Sequence, residues 1–444
     1  MKGSSFTLLA AAWTLVGAVA RAQQPTPPSS SSQQAGSSQQ AEIDELRARL
    51  DELEKRTAAQ PPAKSGEVDL SGREVAPLPT GADTNPLARP WYQNVDVWGY
   101  GAFTYLDTGN IGEHPNGDFL IQEASIFGEA HAWDRVVLHA ELRGAVVGFQ
   151  FLSVGEIYAD FLRLWSSDSA GTANLRVGQF WVPFGEETYW FRATENPLIS
   201  YSAAFPWGLD EGVELYGSAH GVDWIASMTS GSATSNSSDG SEKTFNLKVS
   251  GKPASVLEIG GSLMHQGATR ESALDFGGSG LDPVGSHGTS SVGASPSSKI
   301  DATLGELDAK VEGPARASLG LTYGHAQVDD DVSAFDRTFQ WFRVEPRYDF
   351  TPKVYAVLRY SEIGTYDAKE GYHFDGLMIA GGGTFGYDVR RFQRIAGGLG
   401  WRPNPHTTLK VEVGHDRFWL IDAATADPGA GDRTYFGAGV VVSF

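Results

Sequence analysis

Ionisable side chains recur in this chain at every second position of short segments, opposite apolar ones. In 407–417, Leu409, Val411 and Val413 alternate with Thr408, Lys410, Glu412 and Gly414. In 135–146, Leu138, Ala140 and Leu142 oppose His139, Glu141 and Arg143; in 243–250, Phe245, Leu247 and Val249 oppose Thr244, Asn246 and Lys248. A period of two is a strand with one oily and one polar face. Charges held this way on neighbouring strands can sort solutes by size and sign, but they make or break no bonds. The other chemistries have no constellation. The histidines, among them His114, His220, His265, His287 and His415, are scattered. There is no HExxH, no GxSxG, and no Gly-rich phosphate loop entering a helix. An enzyme is therefore not expected, nor any metal or cofactor.

The elements that must position these charges are strands. From Trp91 onward no amphipathic helix of useful length appears. Sixteen candidate strands do, near 96–106, 119–131, 135–146, 154–165, 174–182, 211–217, 222–230, 243–250, 255–265, 299–311, 316–327, 338–348, 353–362, 391–401, 407–417 and 433–444. The segment 299–311 slips parity around Gly305-Glu306, which suggests a bulge there. The connections alternate in length. Long ones near 107–118, 147–153, 183–210, 231–242, 266–298, 328–337, 363–390 and 418–432 interleave with short ones such as GKPA (251–254), EGPA (312–315), DFTP (349–352) and RPNPH (402–406). A soluble sandwich has no reason to sort loops this way, whereas a transmembrane barrel puts short turns at one rim and long loops at the other. In a bilayer only a sheet without edges satisfies its backbone, so the sheet must close. The expected fold is thus all-β, a 16-stranded antiparallel transmembrane β-barrel with a water-filled lumen. The terminal segment 433–444 (RTYFGAGVVVSF) puts Phe436, Ala438, Val440 and Val442 on its oily face and ends on Phe444. As the sixteenth strand it should pair with the first; that barrel-assembly machinery could recognise its bare terminal aromatic is what a resemblance to outer-membrane barrels in general implies.

In such a barrel the polar parity becomes the channel wall. Candidate lumen charges are Arg143, Arg176, Lys248, Arg343, Arg347, Arg359 and Lys410, with Glu141, Glu214, Glu345 and Glu412. The connection 184–210 (FGEETYWFRATENPLISYSAAFPWGLD) is long, aromatic and charged. As the third outer loop it is the natural one to fold inward, and Glu186, Glu187, Arg192, Glu195 and Asp210 would then set the constriction.

Composition agrees with that architecture. The chain has 444 residues, 53 Gly, 12 Trp, 15 Tyr and 23 Phe; aromatics suit interfacial girdles and glycine suits curved strands. Zero cysteines exclude thiol chemistry and a disulfide framework. A net charge of −20 argues against nucleic acid as a partner. Ahead of the barrel, 1–22 reads as an export signal: Lys2, the apolar run 6–20, and an A-x-A site ending at Ala22. Residues 23–40 are a Pro/Ser/Gln tether and 58–90 a Pro-rich linker, with the barrel proper at 91–444. Between them, 41–57 carries Ile43, Leu46, Leu50 and Leu53 at heptad positions, a short coiled-coil helix expected in the periplasm. Two heptads are too few to associate unaided, so the barrel would have to hold the copies together.

Three stretches, GEIYADFL (155–162), VGQFWVPFG (177–185) and LDEGVELYG (209–217), resemble the phosphate-selective porins of the O/P type. RIAGGLGWRPNPHTTLKVEV (394–413) is similar to that family's penultimate hairpin. Where the family commonly has Arg in Arg-Asp-x-Gly-Val, this chain has Leu209, keeping Asp210, Gly212 and Val213. The resemblance implies a homotrimeric porin of the Gram-negative outer membrane. Its expected role is passive diffusion of small hydrophilic solutes, with anions such as phosphate as the finer expectation; lipid of the outer membrane is the surrounding partner. The alternative reading is structural, with the barrel as an outer-membrane anchor and the helix reaching the cell wall or a periplasmic partner.

Overall fold

The computed structural model describes residues 94–109, 116–146, 149–167, 171–186, 192–202, 209–230, 243–270, 299–330, 337–365, 372–374, 387–420 and 432–444. The export signal, tether, heptad helix and linker lie outside the described residues. The strands are β1 (Val95–Asp107), β2 (Asp118–Trp133), β3 (Val136–Val146), β4 (Phe149–Ser167), β5 (Gly171–Trp181) and β6 (Leu209–Ala219). Then come β7 (Val222–Thr229), β8 (Thr244–Ala254), β9 (Leu257–Arg270), β10 (Lys299–Glu312), β11 (Ala317–Asp330) and β12 (Arg337–Thr351). The last are β13 (Val354–Thr365), β14 (Tyr372–Phe374), β15 (Tyr387–Asn404), β16 (Thr407–Leu420) and β17 (Arg433–Ser443). Each pairs antiparallel with its neighbour in sequence, save that β13 pairs with β15 and the three-residue β14 only extends β15 beyond the wall. Sixteen strands therefore form the wall.

β1 and β17 close it, with Tyr100 opposite Ser443 and Asp107 opposite Phe436. Phe444 takes part: the Gly99 amide donates to the Phe444 carbonyl at 3.2 Å, and the Phe444 amide to Gly99 oxygen at 3.0 Å. A Cβ on Gly99 would stand 2.9 Å from the Phe444 ring, so the glycine makes room for the aromatic that ends the sheet. Deleting Phe444 should lower the yield of heat-modifiable, folded barrel while leaving the ion selectivity of the folded fraction unchanged. A normal yield would show that β17 closes without it.

Burial is inverted relative to a water-soluble sheet. On β16, Leu409, Val411 and Val413 are 37%, 44% and 55% exposed, while Lys410 and Glu412 are 5% and 2% exposed. On β8, Phe245, Leu247 and Val249 are exposed, and Thr244, Asn246 and Lys248 buried; on β3, Leu138 and Leu142 are exposed, and His139, Glu141 and Arg143 buried. Apolar side chains facing out and ionisable ones facing in suit hydrocarbon outside and water or protein inside.

Several expectations need correction. The connection at 147–153 is not long, because β3 runs to Val146 and β4 begins at Phe149. No bulge interrupts Gly305-Glu306: β10 keeps one register against β11 throughout, and its irregularity against β9 falls between Ile300 and Ala302. The slip in parity arises at Leu304, an apolar residue on the inward face. It faces inward, fully buried, in line with Ala302 and Glu306. Asp210 is not a loop residue, since β6 starts at Leu209 and sets Asp210 opposite Phe180 of β5.

Candidate functional site

The β5–β6 connection enters the lumen, and its described parts touch walls far apart around the barrel. Near its start, Gly185 N donates to Ser262 Oγ of β9 (3.1 Å) and Glu186 N to Glu306 Oε1 of β10 (2.7 Å). Lys248 of β8 donates to the Gly185 carbonyl at 2.7 Å and sits 3.7 Å from the Glu186 carboxylate. Arg192 then reaches Glu156 of β4 at 2.5 Å and stacks over Phe127 of β2, 4.7 Å from the ring centre. Burial opposes the Arg192 charge, but the Glu156 and Glu141 carboxylates outweigh it and raise its pKa above the ordinary arginine value. This cation is permanent.

Residues 193–201 form no helix or strand, so their backbone polar groups need partners from elsewhere. The wall supplies them. Lys410 Nζ donates to the carbonyls of Ala193 (2.6 Å), Asn196 (2.5 Å) and Leu198 (3.3 Å). Tyr355 Oη donates to Pro197 O at 3.0 Å, Gln122 Nε2 to Ile199 O at 3.0 Å, Arg359 to Ser200 O at 3.0 Å and Arg394 to Tyr201 O at 2.9 Å. Carboxylates serve the amides: Glu123 accepts Ala193 N at 2.9 Å, and Glu412 accepts Ile199 N at 2.5 Å and Ser200 N at 3.0 Å. Glu412 also accepts the Ser200 and Tyr435 hydroxyls. Tyr201 gives its hydroxyl to Glu123 at 2.6 Å; burial first, and that carboxylate second, push its phenol well above the ordinary value, so it stays a donor.

Apolar contacts complete the seat. Leu198 packs with Tyr355, Val357 and Ala396, and Ala193 with Tyr100, Ala102, Phe127 and Val441. Close approach is possible because the wall carries glycine there. A Cβ at Gly398 would stand 2.6 Å from Leu198 Cδ2 and 2.7 Å from Val411 O; one at Gly437 would stand 3.0 Å from Ile199 Cδ1. Gly398→Leu should push the loop off its seat, read as faster proteolysis within 184–210 and a changed conductance. An unchanged protease pattern would mean that the loop is not held by this packing.

The charges named from sequence divide by what they do. Lys248, Arg359, Lys410 and Glu412 hold the loop. Arg359 also meets Glu345 at 2.5 Å, and its other amine meets Asn196 Oδ1 at 3.0 Å. Arg176 lies against Asp160 at 2.9 and 3.0 Å and 3.4 Å from Glu214, over the Tyr158 ring; Arg143 pairs with Glu141 at 2.9 Å. Arg347 pairs with Asp349 at 2.8 Å, while Arg343 lines a cavity at the β9–β12 wall. Of the constriction candidates, Glu186 and Arg192 stand in the lumen. Glu195 is exposed and meets its neighbour Thr194. Asp210 belongs to the β6 wall, buried, and accepts the amide of Glu211 at 2.9 Å. Glu187 lies outside the described residues. Sequence reasoning missed Glu123, Gln122, Tyr355, Arg394, Asp416 and Tyr435. The signal it could have used is the inward-parity glycine row of β15–β17, which marks where another segment comes close.

No protein-family model matches the chain, and no curated protein sequence matches it. Solved structures do. The outer membrane channel DcaP of Acinetobacter baumannii superposes with a TM-score of 0.53 at 12% identity, covering 79% of this chain and 97% of that one. In-vitro folded OmpT of Vibrio cholerae, in its trimer form, gives 0.50 at 12% identity, covering 79% and 99%. At such identity the likeness speaks for the fold alone, that of an outer-membrane β-barrel.

Proposed function

We propose that this chain is an outer-membrane channel for passive diffusion of small hydrophilic solutes, with the β5–β6 loop as its eyelet. The observation that carries the reading is the loop drawn into the lumen of a closed barrel whose ionisable side chains face inward and whose apolar ones face outward. A packed, dry interior would serve an anchor; a charged one narrowed by a clamped loop serves a filter. The trimeric state rests on the resemblance to the O/P-type porins and on the heptads at 41–57, and the OmpT relative is itself described in a trimer form. An anion preference, phosphate included, draws its support from that same resemblance. The lumenal arginines add little to it, because Arg143, Arg176, Arg347 and Arg359 each face a carboxylate.

Planar-bilayer recording tests the reading. Stepwise conductance in KCl is expected, with reversal potentials across a KCl gradient reporting the ion preference. Purified, heat-modifiable barrel that gives no conductance steps would remove the channel reading and leave the anchor.

A further inference from the structure

Below Glu186 of the eyelet loop, a cavity of about 380 Å³ opens on the wall formed by β9 to β12. That is within the roughly 300–1,000 Å³ of small-molecule sites. Both signs of charge line it. Most are matched locally: Arg347 with Asp349 at 2.8 Å, Glu345 with Arg359 at 2.5 Å, Lys310 with Glu312 at 3.7 Å, Glu258 with Lys252 at 3.5 Å, and Glu186 with Lys248 at 3.7 Å. Asp308 differs. Among the described residues no cation lies within salt-bridge distance of it, and its Oδ2 is buried without a hydrogen-bond partner. Gly260 stands opposite it on β9, where a Cβ would fall 2.5 Å from Asp308 Oδ1; the glycine leaves the carboxylate room to lie along the wall.

The register places Asp308, Thr322 and Arg343 in one row on β10, β11 and β12. Neighbouring strands are about 4.8 Å apart, so the Asp308 and Arg343 backbones are roughly 10 Å apart. Thr322 lies between them, 4% exposed, its hydroxyl buried with no partner among the described residues. An α-amino acid carries its ammonium and carboxylate roughly 3 Å apart, and a hydrogen bond of about 2.9 Å at each end spans most of that gap. A simple anion would meet Asp308 and Glu186 in the same cavity, and a simple cation would meet Arg343. A ligand of zero net charge with separated ends meets neither penalty.

We propose that this cavity is a binding site for zwitterionic α-amino acids in transit, the ammonium held by Asp308 and the carboxylate by Arg343. The proposal rests on the channel reading for its direction of flow, but not for the binding itself.

The test measures block of the KCl current through reconstituted protein by L-alanine, propionate, propylammonium and glycerol at neutral pH. L-alanine should reduce the current most, and Asp308→Asn and Arg343→Gln should each raise its half-blocking concentration roughly tenfold, as expected for the loss of one charged hydrogen bond. Propionate or propylammonium blocking as strongly as L-alanine would overturn the proposal, as would folded variants that block like the parent. Should either variant fail to give a heat-modifiable band, the ranking of the four probes on the unmodified protein decides. Should the protein pass no KCl current, the channel reading fails, and calorimetric titration of L-alanine into the detergent-solubilised barrel decides the site: no heat of binding overturns it.

Discussion

Glu412→Ala should undock the β5–β6 loop. One carboxylate there accepts two consecutive backbone amides, Ile199 and Ser200, together with the hydroxyls of Ser200 and Tyr435. Hydrogen bonds to a charged group contribute roughly 1.5–3 kcal/mol each, and loss of two of them with partial replacement by water costs about 3 kcal/mol. That shifts the docked-to-undocked ratio by roughly a hundredfold. The expected record is a noisier trace with a higher mean conductance in KCl, and new protease cleavage within 184–210. Glu412→Gln keeps one acceptor oxygen and should fall between the two. If the alanine variant conducts and resists protease as the parent does, the loop is held by Lys410, Arg359 and Arg394 without it.

Asp416→Asn should damage the barrel itself. The carboxylate takes Arg394 in a two-pronged grip at 2.7 and 2.8 Å and Arg433 at 3.2 Å, and all three side chains are buried. The row ties β15, β16 and β17 together next to the closing seam, with Arg394 opposite Asp416 and Asp416 opposite Arg433 in register. Neutralising the shared acid leaves two guanidiniums facing each other in a poorly solvated place. Removal of one member of a buried ion pair costs roughly 3–5 kcal/mol. Guanidinium unfolding of the detergent-solubilised protein should show that loss as a lower midpoint at unchanged slope. Because Arg394 also holds the Tyr201 carbonyl at 2.9 Å, the same variant should loosen the loop. A midpoint equal to that of the parent would mean that water, not Asp416, balances these arginines.

The sixteen strands were legible because a barrel wall in lipid imposes period two on every strand, with no core packing to blur it. The segment 407–417 carries that pattern cleanly over 409–413, and β16 is found at Thr407–Leu420. Edges were less legible. The wall continues as paired strand beyond the expected edges, so β15 reaches back to Tyr387 and β4 back to Phe149. Leu304 obscured the pattern for a related reason: an inward position that is fully covered tolerates leucine, which alternation alone assigns to the outside.

Alternation in sequence determined that Lys410, Glu412, Arg359 and Lys248 face inward, and nothing more about them. Whether an inward charge meets water, a solute or another segment depends on what crosses the lumen at its height, and local pattern holds no record of that. Only the tertiary structure decided that these four serve the backbone of 185–201. An irregular segment inside a barrel must find hydrogen-bond partners for its amides and carbonyls, and many of those it finds are side chains on strands 63 to 217 residues away along the chain.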